Sequence, residues 1–319
     1  MSNLELAPAE TDCPPDAATG TRSDLLDGRD VPLGRHTVVR RLLPHTNRRT
    51  VGAWCFFDHF GPENIADTPG MQVPPHPHCG LQTVTWLLSG EVLHRDSLGT
   101  LATITPGQLN LMTAGFGIAH SEESPPEHMP VMHGLQLWIA LPESVTEARF
   151  EHHAALPELT YGGVSMTVVI GTFDGTSSPA RVHTPLVGVQ ITAQGSASLP
   201  VQPSWEYAAI LIDGSATVAG QALTPGSLLY LGTSRSSLEI SGDGRLFLIG
   251  GEPFEEELVM WWNFVARSHE QIVEARSAWM ARERFGEVHG YAGDRLPAPE
   301  LPTVRLKPRS RHGRPMPPS

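Results

Sequence analysis

Short apolar runs separated by turn residues make up most of the chain from His36 onward. The runs at 83–88 and 135–141 are too short for typical helices, and Ser-Gly or Pro follows each of them. Residues 108–112, Gln-Leu-Asn-Leu-Met, alternate polar and apolar side chains with period two, the spacing of a half-buried strand. No helical period spans this region, so the pattern predicts a mainly β protein.

The second half of the chain repeats the plan of the first. An apolar strand, a Gly turn, a strand ending in Thr-Pro-Gly and another strand occur at 86–112 and again at 210–231. When the copies are aligned on Gly90 and Gly214, the paired histidines of the first copy fall on other residue types in the second. The sequence therefore predicts two copies of one β domain, of which only the first can hold a metal.

Changes of composition set the predicted boundaries. Residues 1–30 lack periodicity and are predicted to form a disordered arm. The first, metal-binding domain is predicted over 31–180, and the second domain with a docking helix over 181–290. Residues 291–319 are rich in Pro and Arg and are predicted to be a disordered basic tail. An anionic partner for this tail is an open alternative.

One helix is predicted near the end of the second domain. Residues 268–271 have the Ser-x-x-Gln spacing of a capping box, and the helical run continues to Phe285 before Gly286. The predicted docking face consists of Ile272, Ala275 and Trp279.

Composition and charge narrow the functional classes. Glycine (31) and proline (29) are frequent while charged residues are only 18%, which favours short strands and tight turns. A net charge of −12 argues against a nucleic-acid surface. The three cysteines show no CxxC spacing. The sequence predicts neither a signal peptide nor a membrane-spanning segment. We expect a cytoplasmic, soluble monomer that contacts neither nucleic acid nor membrane.

Three histidines and a carboxylate are the main candidates for chemistry: His76, His78, His120 and Glu122. With 15 histidines in 319 residues, a His-x-His pair is expected by chance, so that spacing alone settles nothing. In an extended segment, however, residues i and i+2 point to the same side, and Pro77 stiffens the first pair. The second pair repeats this geometry after a Gly-rich turn. Facing strands would thus supply four ligands to one metal; the alternative is ordinary surface or core histidines.

This donor set indicates the kind of metal. Imidazole and carboxylate ligands without thiolates leave open coordination positions, which suits Fe(II) best and also Mn(II), Ni(II) or Co(II), with Zn(II) possible. Cys79 is expected on the opposite strand face in a structural role, and Glu123 is expected to be a solvated neighbour. The remaining histidines are mostly expected at the surface or in turns: His94, His128, His133, His152 and His153.

Several ordered motifs resemble the pirin family of the cupin superfamily. They are Asp-His-Phe-Gly-Pro at 58–62, His-Pro-His-x-Gly at 76–80, Thr-Ala-Gly-x-Gly at 113–117, His-Ser-Glu at 120–122 and Gly-Leu-Gln-Leu-Trp at 134–138. The resemblance covers about 36–286. It implies an all-β fold of two stacked cupin (jelly-roll) β-barrels with a short C-terminal helix. It further implies iron in the N-terminal barrel.

The resemblance carries the family's metal ligands onto His76, His78, His120 and Glu122. Three positions depart from the pattern, since Gln82 stands where most members have Glu, and Cys79 and Phe116 stand where Arg is frequent. The ligand carboxylate comes from elsewhere, so metal binding is expected to survive these changes.

The resemblance also implies an activity, because some pirins are similar to quercetin 2,3-dioxygenases. A flavonol-like small molecule would be the substrate, with Glu122 as ligand or base taking the proton of its 3-hydroxyl group. One alternative is a metal- or redox-dependent regulatory protein that binds a transcription factor or metabolic enzyme. A third reading is a small-molecule-binding barrel whose metal is structural.

Overall fold

The computed structural model describes residues 23–33 and 37–311. Its elements in chain order are β1 (Asp24–Asp27), β2 (Arg29–Leu33), β3 (Thr37–Leu43), β4 (Trp54–Asn64), β5 (Gln72–His78), β6 (Leu81–Ser89), β7 (Val92–Asp96), β8 (Leu101–Ile104), β9 (Leu109–Thr113), β10 (Ile118–Glu123), β11 (Val131–Ala140), β12 (Arg149–His153), β13 (Glu158–Tyr161), β14 (Val164–Phe173), β15 (Thr176–Ser177), β16 (Leu186–Pro200), β17 (Glu206–Val218), β18 (Gln221–Ala222), β19 (Ser227–Gly232), β20 (Ser237–Gly251), β21 (Val259–Trp261), β22 (Phe264–Ala266) and α1 (His269–Met280). The prediction of an all-β fold with a short C-terminal helix is confirmed.

Two sheets form the first barrel. The strand orders are β5-β10-β7-β8 and β12-β9-β6-β11-β4-β3-β2, and all the pairings are antiparallel. Side chains of the two sheets meet inside, where Thr85 of β6 contacts Glu122 of β10 and Trp138 of β11 contacts His78 of β5. The interior of this barrel is therefore partly polar.

One nine-stranded sheet forms the second barrel, with the central order β1-β19-β17-β20-β16-β14-β13. Its strands β16, β17 and β20 are 13 to 15 residues long and curve around an apolar core. Gly195 pairs with Gly242 at the middle of these strands. A Cβ atom on Gly242 would lie 2.2 Å from the Ser215 oxygen, so the close approach at this corner requires glycine.

The barrels stack through the outer face of the seven-stranded sheet. The Phe57 and Phe247 rings meet edge to face at 6.1 Å, and Trp86 Nε1 donates to Gln190 Oε1 at 2.8 Å. Because side chains alternate along a strand, Thr85 faces the first barrel's interior while Trp86 faces the second barrel. The prediction of two stacked cupin barrels is confirmed.

The repeat seen in the sequence has a structural counterpart. In the first barrel β6 lies between β9 and β11, and in the second β17 lies between β19 and β20. The predicted boundary at residue 180 differs from the strand pairing, however. Strand β14 pairs with β16, so residues 158–177 join the sheet of the second barrel.

The predicted N-terminal arm is shorter than expected. Residues 1–22 lie outside the described residues, but Asp24–Asp27 pairs with β19 and Arg29–Leu33 pairs with β3. The prediction of disorder is therefore wrong for residues 24–30. Both strands are too short to show periodicity, and their order comes from ladder hydrogen bonds and from burial of Leu26 and Val31.

The prediction of a disordered tail is also wrong for residues 291–311. Residues 312–319 lie outside the described residues. Leu296 N donates to the Pro75 oxygen at 2.8 Å, and Trp279 Nε1 donates to the Leu296 oxygen at 2.8 Å. Ala298 is buried in the same apolar cluster as Trp279. Widely spaced apolar residues and prolines hold residues 291–311 as an extended strap across the first barrel. Their spacing has neither the period of a helix nor that of a strand.

Helix α1 has the predicted cap and face but ends before Phe285. Ser268 is the N-cap and its hydroxyl accepts from Gln271 N, and the predicted face is buried. The chain leaves the helix through Arg282, whose φ is +62°, which lets Arg284 stack on Phe116. No helix in the described part of the chain is long and apolar enough to cross a membrane.

Candidate metal centre

Strands β5 and β10 bring the three predicted histidines together. Antiparallel pairing sets His76 opposite His120, and His78 lies two residues along on the same strand. The ring centroids are 4.3 Å apart for His76 and His120 and 5.0 Å apart for both other pairs. One ligating nitrogen from each ring lies within 4.8 Å of the others, so the three histidines form a compact donor group.

The hydrogen bonds of these rings orient one nitrogen of each toward the others. His76 Nδ1 donates to the Pro74 oxygen at 2.8 Å, and His78 Nδ1 donates to the Asn263 oxygen at 3.0 Å. The Nε2 atoms of His76, His78 and His120 are buried and have no hydrogen-bond partner among the described residues. Burying three hydrogen-bond acceptors without partners costs free energy. A metal ion bound between them would satisfy all three.

Burial also favours the ligating protonation state. It lowers the pKa of His78 to about 3 and the pKa values of His76 and His120 well below the usual 6.5, because desolvation disfavours imidazolium. These rings are therefore neutral at pH 7, which is the form that binds metal.

The predicted carboxylate lies at the edge of this group. A bulge separates His120 and Glu122 in the pairing with β5, and the Thr85 hydroxyl donates to Glu122 Oε1 at 3.2 Å. The Glu122 carboxylate lies within ligand range of His120 and His94, in a second buried donor group. Glu122 thus lies next to His120, outside the compact group that the three predicted histidines form.

His94 is part of the site, so its prediction as a surface or turn residue was wrong. Its side chain is 3% exposed, and its ring stacks on Phe150 with centroids 4.4 Å apart. His94 Nε2 lies 3.1 Å from Asp96 Oδ2, and its Nδ1 lies 3.5 Å from Nδ1 of His120. The signal was present in the sequence, because His94-x-Asp96 has the same i, i+2 spacing as His120-x-Glu122.

Asp96 is held as a carboxylate. Burial alone would raise its pKa, but hydrogen bonds from His94 and from Thr100 N–H lower the pKa overall. Its second oxygen, Oδ1, accepts from the Leu98 and Thr100 amides at 2.9 and 3.0 Å. The turn after β7 therefore fixes which oxygen faces His94.

His133 is also buried, although it is among the histidines mostly expected at the surface or in turns. It is 5% exposed, and its Nε2 lies 2.8 Å from Nε2 of His59. Burial lowers the pKa of both rings, to about 4 for His59. This pair lies beside Asp213 and Arg245 of the second barrel, away from the candidate metal centre.

Aromatic and amide side chains wall the candidate metal centre. The Trp138 ring lies 5.1 Å from His78 and stacks on Phe56 at 4.0 Å. Thr85 lies between Glu122 and Gln136, whose Oε1 is 3.0 Å from the Thr85 hydroxyl oxygen. These walls belong to the 134–138 motif and its neighbours, for which no role was predicted from the sequence.

The three departures from the family pattern lie outside the donor group. Cys79 belongs to the apolar cluster around α1, and burial raises its pKa to about 12. Gln82 points away from the first barrel's interior and donates to the Arg181 oxygen at 3.1 Å. Phe116 is 54% exposed beneath the Arg284 guanidinium. None of them adds or removes a ligand atom.

Fold and site together define a bicupin with a histidine-rich candidate metal centre in its first barrel. The family model described as Pirin matches residues 36–139, and the model described as Pirin C-terminal cupin domain matches residues 186–286. These matches span more than half of the sequence, and the chain belongs to the pirin family.

Relatives extend along nearly the whole chain. A Pseudomonas aeruginosa protein provisionally named quercetin 2,3-dioxygenase is 41% identical, covering 89% of this chain and 97% of the relative. A Caulobacter vibrioides protein named pirin-like is 37% identical, covering 86% of this chain and 99% of the relative. The crystal structure of quercetin 2,3-dioxygenase from Acinetobacter baumannii has 43% identity and a TM-score of 0.85, covering 89% of this chain and 97% of that one.

Proposed function

We propose that the protein is a mononuclear metal-dependent oxidoreductase that cleaves a flavonol with O₂, a quercetin 2,3-dioxygenase-type reaction. The observation that carries the proposal is the convergence of three orphaned Nε2 atoms beside a carboxylate inside an aromatic-walled barrel. The names of the Pseudomonas and Acinetobacter proteins support the same reaction class.

The residues of the site fit a metal ion. His76, His78, His120 and Glu122 would hold it, and three neutral imidazoles with one carboxylate leave coordination positions open. We assign iron, because this nitrogen and oxygen donor set without thiolates suits Fe(II) and O₂ chemistry. When bound, the ion supplies Lewis acidity and redox chemistry toward O₂.

The side chains around the donor group bind and orient the substrate. Glu122 is buried and accepts a hydrogen bond from Thr85, so its carboxylate is placed to take the proton of a flavonol 3-hydroxyl group. The Trp138 ring, 5.1 Å from His78, offers an aromatic contact beside the donor group. Burial of the whole group excludes water from the reaction.

The proposed reaction balances without a further reductant. Two ring bonds of the deprotonated flavonol break, the carbon that carries the 3-oxygen leaves as carbon monoxide, and both atoms of O₂ enter the remaining depside. Glu122 returns its proton to the product carboxylate, which leaves the enzyme unchanged.

The test is turnover by protein loaded with Fe(II), Mn(II), Co(II) or Ni(II) in parallel against a panel of flavonols. The expected result is loss of flavonol absorbance with equal amounts of O₂ consumed and carbon monoxide released, fastest with iron. His76→Ala should abolish both metal loading and turnover. His128→Ala is the matched control, because His128 is a half-buried histidine outside the site.

Fully loaded wild-type protein that consumes no O₂ with any flavonol would exclude the dioxygenase proposal. If metal loading then altered the capture of protein partners instead, the alternative of a metal-dependent regulatory protein would take its place.

A further inference from the structure

The ring of His120 is oriented differently from the other two candidate ligands. The Nδ1 atoms of His76 and His78 face main-chain oxygens, which can only accept a hydrogen bond. The fold itself therefore keeps their Nε2 atoms free of protons. His120 Nδ1 instead faces Nδ1 of His94 at 3.5 Å, and an imidazole nitrogen can either donate or accept. The tautomer of His120 therefore depends on which nitrogen of His94 carries a proton.

The partner of His94 resolves that ambiguity. Asp96 Oδ2 is a carboxylate oxygen that only accepts, so His94 Nε2 at 3.1 Å must carry the proton. In the singly protonated form of His94 its Nδ1 is then bare, and His120 donates to it from its own Nδ1. As a result, His120 Nε2 is bare and matches the other two ligating nitrogens.

We propose that Asp96 and His94 form a positioning pair that fixes the tautomer of His120 so that its Nε2 can bind a metal. The inference rests on the proposed metal site but not on the identity of the substrate. Outer partners of this kind orient metal ligands and typically change metal affinity roughly 10- to 100-fold when removed.

The packing around His94 and Asp96 supports the arrangement of this pair. His94 and Asp96 are 3% and 2% exposed, and Phe150 stacks on the His94 ring with an interplanar angle of 22°. The backbone ladder sets Asp96 opposite His120 and His94 opposite Glu122. The stack on Phe150 therefore holds the plane of the His94 ring that carries both hydrogen-bonding nitrogens.

Asp96→Asn reverses the direction of the hydrogen bonds at constant shape. The Leu98 and Thr100 amides donate to Oδ1, so they hold the side-chain oxygen of the introduced amide at that place and turn its NH₂ group toward His94. His94 would then accept at Nε2 and donate from Nδ1, which forces His120 to carry its proton on Nε2. The proton now blocks the ligating atom.

Long-range ¹⁵N–¹H NMR on histidine-labelled, metal-free protein would identify the tautomers directly. Chelator competition would measure the affinities for Co(II) and Zn(II). In the wild type, His120 is expected to be protonated on Nδ1 and His94 on Nε2. Asp96→Asn is expected to move both protons and to weaken metal binding roughly 10- to 100-fold. Glu123→Gln removes the same charge from the same ladder, where it pairs with Arg95, and is expected to change neither readout.

His120 protonated on Nε2 in the wild-type protein overturns the proposal, and this measurement needs no variant to fold. Weaker metal binding in Asp96→Asn with unmoved protons also overturns it, because the loss would then come from charge alone. His94→Phe keeps the stack on Phe150 and removes both nitrogens; unchanged metal affinity in this variant would contradict the pair's role. A failure to turn over flavonols leaves all these readouts intact and bears only on the proposed function.

Discussion

The ring of His78 in the first barrel is held by the main-chain oxygen of Asn263, which lies 185 residues later and 3.0 Å from His78 Nδ1. Asn263 lies between β21 and β22, after the second barrel is complete. Cys79 and Phe264 form a parallel bridge beside this contact. The C-terminal segment thus supports one wall of the candidate metal centre, and the site is a product of the whole chain.

Removal of residues 291–319 is predicted to destabilise the protein and loosen β5. The truncation removes the Leu296 hydrogen bonds to Pro75 and Trp279 and uncovers the apolar cluster around α1. Burial of a few aliphatic side chains contributes roughly 2 to 4 kcal/mol, which is the expected loss in unfolding free energy by urea titration. Trp279, which is 2% exposed, should become accessible to acrylamide quenching.

The matched control is a chain that ends at residue 311, which keeps every described contact of the strap. It should unfold like the full-length protein. Equal stability of both truncations would show that residues 291–311 do not support the barrel.

Gly80→Ala is predicted to be far more damaging than Gly99→Ala. Both glycines have left-handed φ values, +70° and +88°, so both substitutions carry backbone strain of roughly 1 to 2 kcal/mol. At Gly80 the new Cβ would lie 2.0 Å from the Val265 oxygen, whereas at Gly99 no described atom lies within 4 Å. The clash should add about 1 to 3 kcal/mol and push β22 away from β5. Urea unfolding curves of both variants would measure the difference, and equal losses would contradict it.

The sequence predicted the parts of this protein that depend on local pattern. Period-two alternation and Gly-Pro turns indicated the strands, and the paired i, i+2 spacing selected His76, His78 and His120. Local pattern also indicated the buried face of α1, because the residues at 272, 275 and 279 repeat at helical intervals. Each of these features is encoded within about ten residues.

Features that depend on distant pairing were not predictable in the same way. His94 and Asp96 look like ordinary polar residues until β7 pairs with β10 and buries them. The Asn263 oxygen carries no side-chain signal at all, because any residue has a carbonyl group. Strand β1 and the strap at 291–311 are ordered by contacts with other parts of the chain, not by their own periodicity.

Loss of the buried ion pair near the site is predicted to cost much more than loss of an exposed one. Arg41 and Asp58 form two hydrogen bonds of 2.9 Å, and both side chains are almost fully buried. Asp58→Ala leaves a buried guanidinium without its carboxylate, at a cost of about 3 to 5 kcal/mol. Asp30→Ala is the control, because Asp30 pairs with Arg40 at the surface, where a pair contributes less than about 1 kcal/mol.

Chemical denaturation of Asp58→Ala and Asp30→Ala would measure the loss of unfolding free energy in each variant. Because Arg41 also stacks over the Phe56 ring at 4.4 Å, the buried variant should change the packing of the aromatic wall as well. Near-ultraviolet circular dichroism would report that change. Equal destabilisation by both substitutions would contradict the assignment of Arg41 and Asp58 as a structural element of the first barrel.

Stability is predicted to fall as the pH drops from about 6.5 to 4, and the histidine pair between the barrels contributes to this fall alongside the buried histidines of the candidate metal centre. Burial and, to a lesser extent, the neighbouring His133 together lower the pKa of His59 to about 4, while Asp213 opposes the shift. Below pH 6.5 the unfolded chain takes up a proton on His59 that the folded protein does not, so unfolding free energy declines by about 1.4 kcal/mol per pH unit. Above pH 6.5 both states are neutral at this ring and the contribution is complete. His59→Gln should flatten the profile measured by urea unfolding between pH 7 and 5 by about this slope, whereas the exposed His289→Gln should follow the wild type. A His59→Gln profile as steep as the wild type would show that other groups cause the acid sensitivity.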